Sequence, residues 1–93
     1  MKPSLFTIEA KKRAVKFVET LDSTRKERIR AAIQILKQNP VPIGQVDLAK
    51  LKGYNNLYRI RIGNIRIVYE VFWSERRILL QYIGTRGKAY TDL

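Results

Sequence analysis

One segment constrains this chain more than any other: Leu57-Tyr58-Arg59-Ile60-Arg61-Ile62-Gly63-Asn64-Ile65-Arg66-Ile67-Val68-Tyr69-Glu70-Val71. Apolar residues alternate on both sides of Gly63-Asn64, the signature of two strands joined by a two-residue turn. Such a loop pairs Ile62 with Ile65, Arg61 with Arg66 and Arg59 with Val68. Successive side chains of a strand point to opposite faces. Tyr58, Ile60, Ile62, Ile65, Ile67, Tyr69 and Val71 therefore share an apolar face, and Arg59, Arg61 and Arg66 share the other. Like charges directly opposite one another destabilise a hairpin. An anion held between the guanidinium groups would relieve that repulsion.

The rest of the chain is read around this hairpin. Leu5 to Glu9 is a short terminal strand candidate, with Phe6 and Ile8 alternating. From Ala10 to Leu21, Ala10, Ala14, Phe17, Val18 and Leu21 fall at helical spacing, with Lys11, Lys12, Arg13 and Lys16 mostly off that face. Asp22-Ser23-Thr24 is a break, and Thr24 with Glu27 fits a capping box for a second helix carrying Ile29, Ala32, Ile33 and Leu36. That helix ends before Pro40. Its early basic residues Arg25, Lys26, Arg28 and Arg30 oppose the helix dipole, so they speak for a partner surface. Pro40 to Gly44 is a loop, and Lys50 to Asn56 a basic, turn-rich approach to the sheet. Trp73 to Arg76 is a turn, and Arg77 to Gly84 a third strand. With Ser74-Glu75 as the tight loop, Ile78, Leu80 and Tyr82 join Val71, Tyr69 and Ile67 on the apolar face. Tyr58, Tyr69 and Tyr82 are thus read as core. The expectation is a single α+β domain over residues 1–93, in order β-α-α-β-β-β, with a helical hairpin packed on one face of an antiparallel sheet. The arginines occupy the uncovered face.

Net charge is +11, from 19 basic and 8 acidic residues. Residues 1–39 carry +6 and residues 40–93 carry +5, so the charge is not a tail. Such a domain attracts polyanions by counterion release and steering. Nucleic acid is the first candidate partner, an acidic protein the second and a membrane surface the third. No apolar run approaches the ~20 residues of a membrane span, and the first residues form no apolar signal segment. With no Cys there is no disulfide framework, and a cytoplasmic location is expected.

Several chemistries drop out. Without His there is no Ser-His-Asp triad or imidazole acid–base pair, and without Cys or His ordinary zinc sites are excluded. The acidic residues form no two-metal motif, and the five glycines form no phosphate loop. No metal or cofactor is expected. What remains is a set of cations on a stiff sheet. Arg59, Arg61 and Arg66 can grip phosphate bidentately. Arg86 follows the third strand and can reach the same anion, and Tyr90 lies four residues on. Tyr54, Phe72 and Trp73 are possible stacking groups, or rim and turn packing. Lys11, Lys12, Arg13 and Lys16 read more readily as a solvated helix face; the arginine cluster as mere surface charge offset by Glu70 is the weaker reading, because cross-strand repulsion argues against it.

Lys50-Leu51-Lys52-Gly53, the hairpin strands and Gly84-Thr85-Arg86-Gly87-Lys88-Ala89-Tyr90 together resemble the RelE/ParE superfamily of type II toxin–antitoxin toxins, most nearly its RelE branch. The resemblance spans essentially the whole chain. It implies a RelE-like fold and a toxin that enters the ribosomal A site and cleaves the mRNA codon there. In that reaction the 2′-OH attacks the adjacent phosphate and leaves a 2′,3′-cyclic phosphate, without a metal. The resemblance implies catalytic roles for Arg59, Arg61, Arg66, Arg86 and Tyr90, and RNA contacts at Lys50, Lys52, Tyr54 and Lys88. Well-studied members carry lysines where this chain has Arg59 and Arg61. Arginine is a poor base, so either these two act electrostatically or Lys50, Lys52 or Tyr90 takes the proton. The implied partners are a RelB-like antitoxin and the ribosome with its mRNA, with operator DNA bound only through the antitoxin and no membrane. Three alternatives stand beside this reading: a ParE-like gyrase poison, a non-catalytic nucleic-acid-binding domain, and a decayed toxin that retains only antitoxin binding.

Overall fold

The computed structural model describes residues 5–85. Five strands and two helices follow in the order β1 (Thr7–Ala10), α1 (Lys12–Glu19), α2 (Ser23–Gln38), β2 (Asp47–Lys50), β3 (Leu57–Ile62), β4 (Ile65–Phe72) and β5 (Arg77–Gly84). The spatial order is β1-β5-β4-β3-β2. Strands β2 to β5 form an antiparallel meander, and β1 adds a parallel edge beside β5. No helix among the described residues is long and apolar enough to cross a membrane.

The hairpin register is the one that the alternation dictates: Ile62 faces Ile65, Arg61 faces Arg66 and Arg59 faces Val68. Gly63 has φ 60, while Asn64 has no positive φ. That combination is a type II′ turn, which needs its glycine at the first central position. One face of the sheet carries the main core. Ile60, Ile65, Ile67, Tyr69, Val71, Ile78, Leu80 and Ile83 pack there against Ala14, Ile29, Ala32 and Leu36 of the helices. Tyr69 is fully buried, stacks on Tyr58 with ring centroids 5.7 Å apart, and donates its hydroxyl to the Pro40 carbonyl at 2.7 Å. The long connection from α2 to β2 is thereby tied to the sheet.

Four expectations are corrected. First, a strand is added: Asp47–Lys50 pairs with β3, and Asp47 lies opposite Arg61. The segment is a four-residue edge strand, too short for alternation to show. Second, α2 begins at Ser23, and its cap is Asp22, whose carboxylate accepts from the Arg25 amide at 2.9 Å. Asp22 has the extended conformation that an N-cap needs, which Thr24, inside the helix, lacks. Third, the terminal strand runs Thr7–Ala10, and the first helix is confined to Lys12–Glu19.

The fourth correction has the widest consequence. Strand β5 shifts register between Val68 and Tyr69, so Tyr69 pairs with Leu80 but Val68 pairs with Tyr82. Gln81 is the extra residue of a β-bulge. Ile83, not Tyr82, then faces Ile67, and Tyr82 moves to the arginine face. There it packs beside a small second cluster of Leu51, Leu57 and Val68.

Candidate anion-binding basin on the open face

The open face is a lattice of cross-strand rows. One row runs Asp47, Arg61, Arg66, Gly84 over β2, β3, β4 and β5; the next runs Ala49, Arg59, Val68, Tyr82. Opposed residues in such rows lie about 4.5–5.5 Å apart at Cα, so the three arginines grow from one compact patch. They project into a cavity of about 470 Å³ lined by Ala49, Lys50, Leu51, Lys52, Arg59, Arg61 and Arg66. Five of the residues singled out by the sequence thus converge on one basin. Tyr54 is exposed and is not among the lining residues. Arg86, Lys88 and Tyr90 lie outside the described residues.

Each cation is held differently. Arg59 is more enclosed than Arg61, its side chain 19% exposed, with Val68 and Ala49 as its cross-strand neighbours. Arg61 is half exposed and donates Nε to Asp47 Oδ2 at 2.9 Å. Arg59 Nη2 lies 3.8 Å from the other Asp47 oxygen. Arg66 donates Nη1 to the Thr85 carbonyl at 3.3 Å, which turns its guanidinium toward the end of β5. The Arg61–Arg66 repulsion is therefore eased in part from within the chain, by Asp47. Glu70, the carboxylate expected to offset the cluster, instead accepts from the Gln81 amide at 2.8 Å.

The sequence reading missed three features near the open face. Asp47 was hidden because its strand was. Tyr82 was assigned to the wrong face because a bulge leaves no mark in the alternation. Arg13 was read as part of a solvated helix face. Its Nε donates to the Gln81 carbonyl at 2.9 Å, and its guanidinium sits 5.8 Å from the centre of the Tyr82 ring. Only the first of these had a usable signal, a lone aspartate shortly before a basic strand.

Two other features are less suited to chemistry. Trp73 packs edge-on against Phe6 at 5.7 Å, and Phe72 lies under the Arg77 guanidinium at 4.1 Å, so both rings are engaged at the turn. An apolar hollow of about 360 Å³ between α1 and α2, bordered by Val15, Val18, Ile29 and Ile33, carries Glu19, Lys26 and Arg30 at its edge. It lacks the convergent polar groups of the arginine basin. Guanidinium groups on a rigid sheet, flanked by two lysines, can bind a phosphodiester and stabilise charge as it grows on phosphorus-bound oxygen.

Fold and basin together describe a small basic α+β domain with an anion-binding surface. Residues 5–90 match the family described as ParE toxin of type II toxin-antitoxin system, parDE. The chain is 36% identical over 87 residues to the protein named "Putative toxin RelE1" of Methanocaldococcus jannaschii, a match covering 94% of this chain and 97% of that one. A chain in the crystal structure of the archaeal RelE-RelB complex from Pyrococcus horikoshii OT3 superposes with TM-score 0.80 and 30% identity, over 89% of this chain and 97% of that one. The RelB-RelE antitoxin-toxin complex from Methanococcus jannaschii gives TM-score 0.71 and 28% identity, over 91% and 98%. The chain belongs to the RelE/ParE superfamily of toxins from type II toxin–antitoxin systems.

Proposed function

We propose that this toxin is a ribosome-dependent endoribonuclease that cleaves mRNA in the A site. The observation that carries the reading is the convergence of Arg59, Arg61, Arg66, Lys50 and Lys52 on one basin. In the proposed step the ribose 2′-OH gives up its proton, its oxygen attacks the adjacent phosphorus, and the bond to the 5′-oxygen breaks. A proton is delivered to that 5′-oxygen, leaving a 2′,3′-cyclic phosphate and a 5′-hydroxyl. Arg61 and Arg66 flank the phosphate and stabilise the extra negative charge of the transition state. Arg59, whose side chain is 19% exposed, fixes its orientation. Of the residues lining the basin, Lys50 and Lys52 are the ones able to exchange a proton, since a guanidinium stays charged. They also suit the backbone of a single strand. Arg86 and Tyr90 keep the roles that the family resemblance gives them, assisting the leaving oxygen and stacking.

The partner we propose is a RelB-like antitoxin, supported by the relatives solved as RelE-RelB complexes. The domain's charge of +11 favours fast association with an acidic segment.

Primer extension on mRNA after induction tests the activity. Cuts inside codons that vanish when translation is blocked support the nuclease. Intact mRNA at growth arrest overturns it. The family match to ParE toxin favours one second reading, poisoning of DNA gyrase. Broken chromosomes with intact mRNA would select that instead.

A further inference from the structure

Two arginines at the start of α2 differ from the rest in what they lack. Among the described residues, every other arginine has a partner for its side chain. Arg30 pairs with Glu27, Arg77 with Glu9 and Glu75, and Arg59 and Arg61 with Asp47. Arg13 and Arg66 donate to carbonyls, and Arg76 lies over the Phe6 ring. Within those residues the side chains of Arg25 and Arg28 have none. Their placement also works against the helix. Arg25 lies in the first turn of α2, where the helix dipole disfavours a cation. Arg28, three residues on, puts a like charge on the same face. Asp22, the carboxylate at this end, is committed to the Arg25 amide.

Both arginines line a cleft of about 190 Å³ whose other wall is the hairpin turn, Ile62, Gly63, Asn64 and Ile65. Arg25, Arg28, Gly63 and Asn64 are all exposed, and no carboxylate lines the cleft. The Ile62–Ile65 pair directly follows the Arg61–Arg66 pair. The turn therefore lies about 7 Å along the strands from that arginine row. A polyanion on the open face meets a second pair of guanidinium groups as it rounds the tip of the hairpin. Asn64 adds a carboxamide able to donate there.

We propose that this cleft is a second phosphate subsite, holding a neighbouring phosphate of the same single RNA strand whose reacting phosphodiester lies in the arginine basin. The inference rests on the reading of the basin as a site for an RNA phosphodiester. Unpaired guanidinium groups suit a phosphate because their planar fork matches its oxygens. Unlike Arg61, they need not release a carboxylate to bind one.

The test uses oligodeoxythymidine, which presents phosphodiesters without the attacking hydroxyl. A trinucleotide and a hexanucleotide are titrated at low salt into wild-type toxin, Arg25→Ala/Arg28→Ala and Lys26→Ala/Arg30→Ala, with thermal melting of each. The last variant removes the same charge from the same helix, outside the cleft. Arg25→Ala/Arg28→Ala should melt no lower than wild type, bind the trinucleotide as wild type does, and bind the hexanucleotide about tenfold more weakly. Its salt dependence on the hexanucleotide should be shallower by about 0.7 in slope, the share of one phosphate on a single strand. Lys26→Ala/Arg30→Ala should keep most of the wild-type affinity. Arg61→Ala, in the basin, should weaken both oligonucleotides. Equal hexanucleotide binding by wild type and Arg25→Ala/Arg28→Ala overturns the proposal, including the case where that variant cleaves ribosome-bound mRNA poorly, which would assign the two arginines to the ribosome. So does an equal loss in Lys26→Ala/Arg30→Ala, which would reduce the effect to net charge, and so does hexanucleotide binding that ignores Arg61→Ala. A wild type that binds through Arg25 and Arg28 yet leaves mRNA intact would sustain the subsite and sink the nuclease.

Discussion

The two faces of the sheet solve opposite problems with the same strands. On the helix-covered face, Ile60, Ile67, Tyr69 and Val71 are fully buried, and the Tyr69 hydroxyl is bonded to the Pro40 carbonyl. On the open face, Arg59, Arg61 and Arg66 crowd one another, with Asp47 as the near carboxylate. The buried apolar cluster there is small, made by Leu51, Leu57 and Val68. The covered face follows the rule that apolar area leaves water and polar atoms are satisfied. The open face departs from it, and the departure is tolerable because the covered face supplies the stability. Conflict between a residue and its local surroundings marks function more sharply than charge alone does.

Neighbouring positions in β4 give the sharpest way to break this contrast. Arg66→Ala should lower mRNA cleavage about a hundredfold or more, while denaturant unfolding stays within about 0.5 kcal/mol of wild type. Ile67→Ala, one residue on, should do the reverse. It should cost about 2–5 kcal/mol by cavity formation, while the molecules that remain folded cleave normally. If Arg66→Ala unfolds the domain, or Ile67→Ala spares it, the division of labour is wrong.

A smaller effect is expected at Tyr69. Tyr69→Phe leaves the Pro40 carbonyl without its donor and should cost about 1–3 kcal/mol in urea unfolding. Burial, and next the nearby Tyr58, push the Tyr69 pKa well above its ordinary value of 10.0. The folded state therefore holds this proton more tightly than the unfolded chain does. The stabilisation is complete below about pH 10 and declines above it, where the unfolded chain ionises first. Unfolding at about pH 9 and about pH 11 should show a loss in wild type that is reduced in Tyr69→Phe.

The smallest change is expected at Asp47. Asp47→Asn removes an exposed ion pair and should alter stability by less than about 1 kcal/mol. It should also tighten binding of a short deoxyribose oligonucleotide at low salt a few-fold, since the bound phosphate no longer competes with a carboxylate for Arg61. Weaker binding would show that Asp47 orients the guanidinium and does not compete with the ligand.

Much of this was legible in the chain. Gly63-Asn64 between alternating residues determined the hairpin, its register and the shared face of the three arginines, because strand geometry has a period of two and the turn leaves one pairing. The helices were visible in the spacing of Ala14, Phe17, Val18, Ile29, Ala32 and Leu36. The edge strand at Asp47 was not visible. Four residues hold too little pattern, and pairing to β3, not propensity, makes them a strand.

What the sequence decided by itself was local and periodic: which residues alternate, where the turn falls, and that the charge is strongly positive. What tertiary structure decided was which distant residues share a row. Asp47 reaches Arg61 across 14 positions, Arg13 reaches Gln81 across 68, and a single extra residue in β5 moves Tyr82 from the expected core face to the open face. The physical reason is that a bulge is stabilised by the ladder on either side of it and by the side chains that it redirects. Those contacts exist only once the strands are side by side.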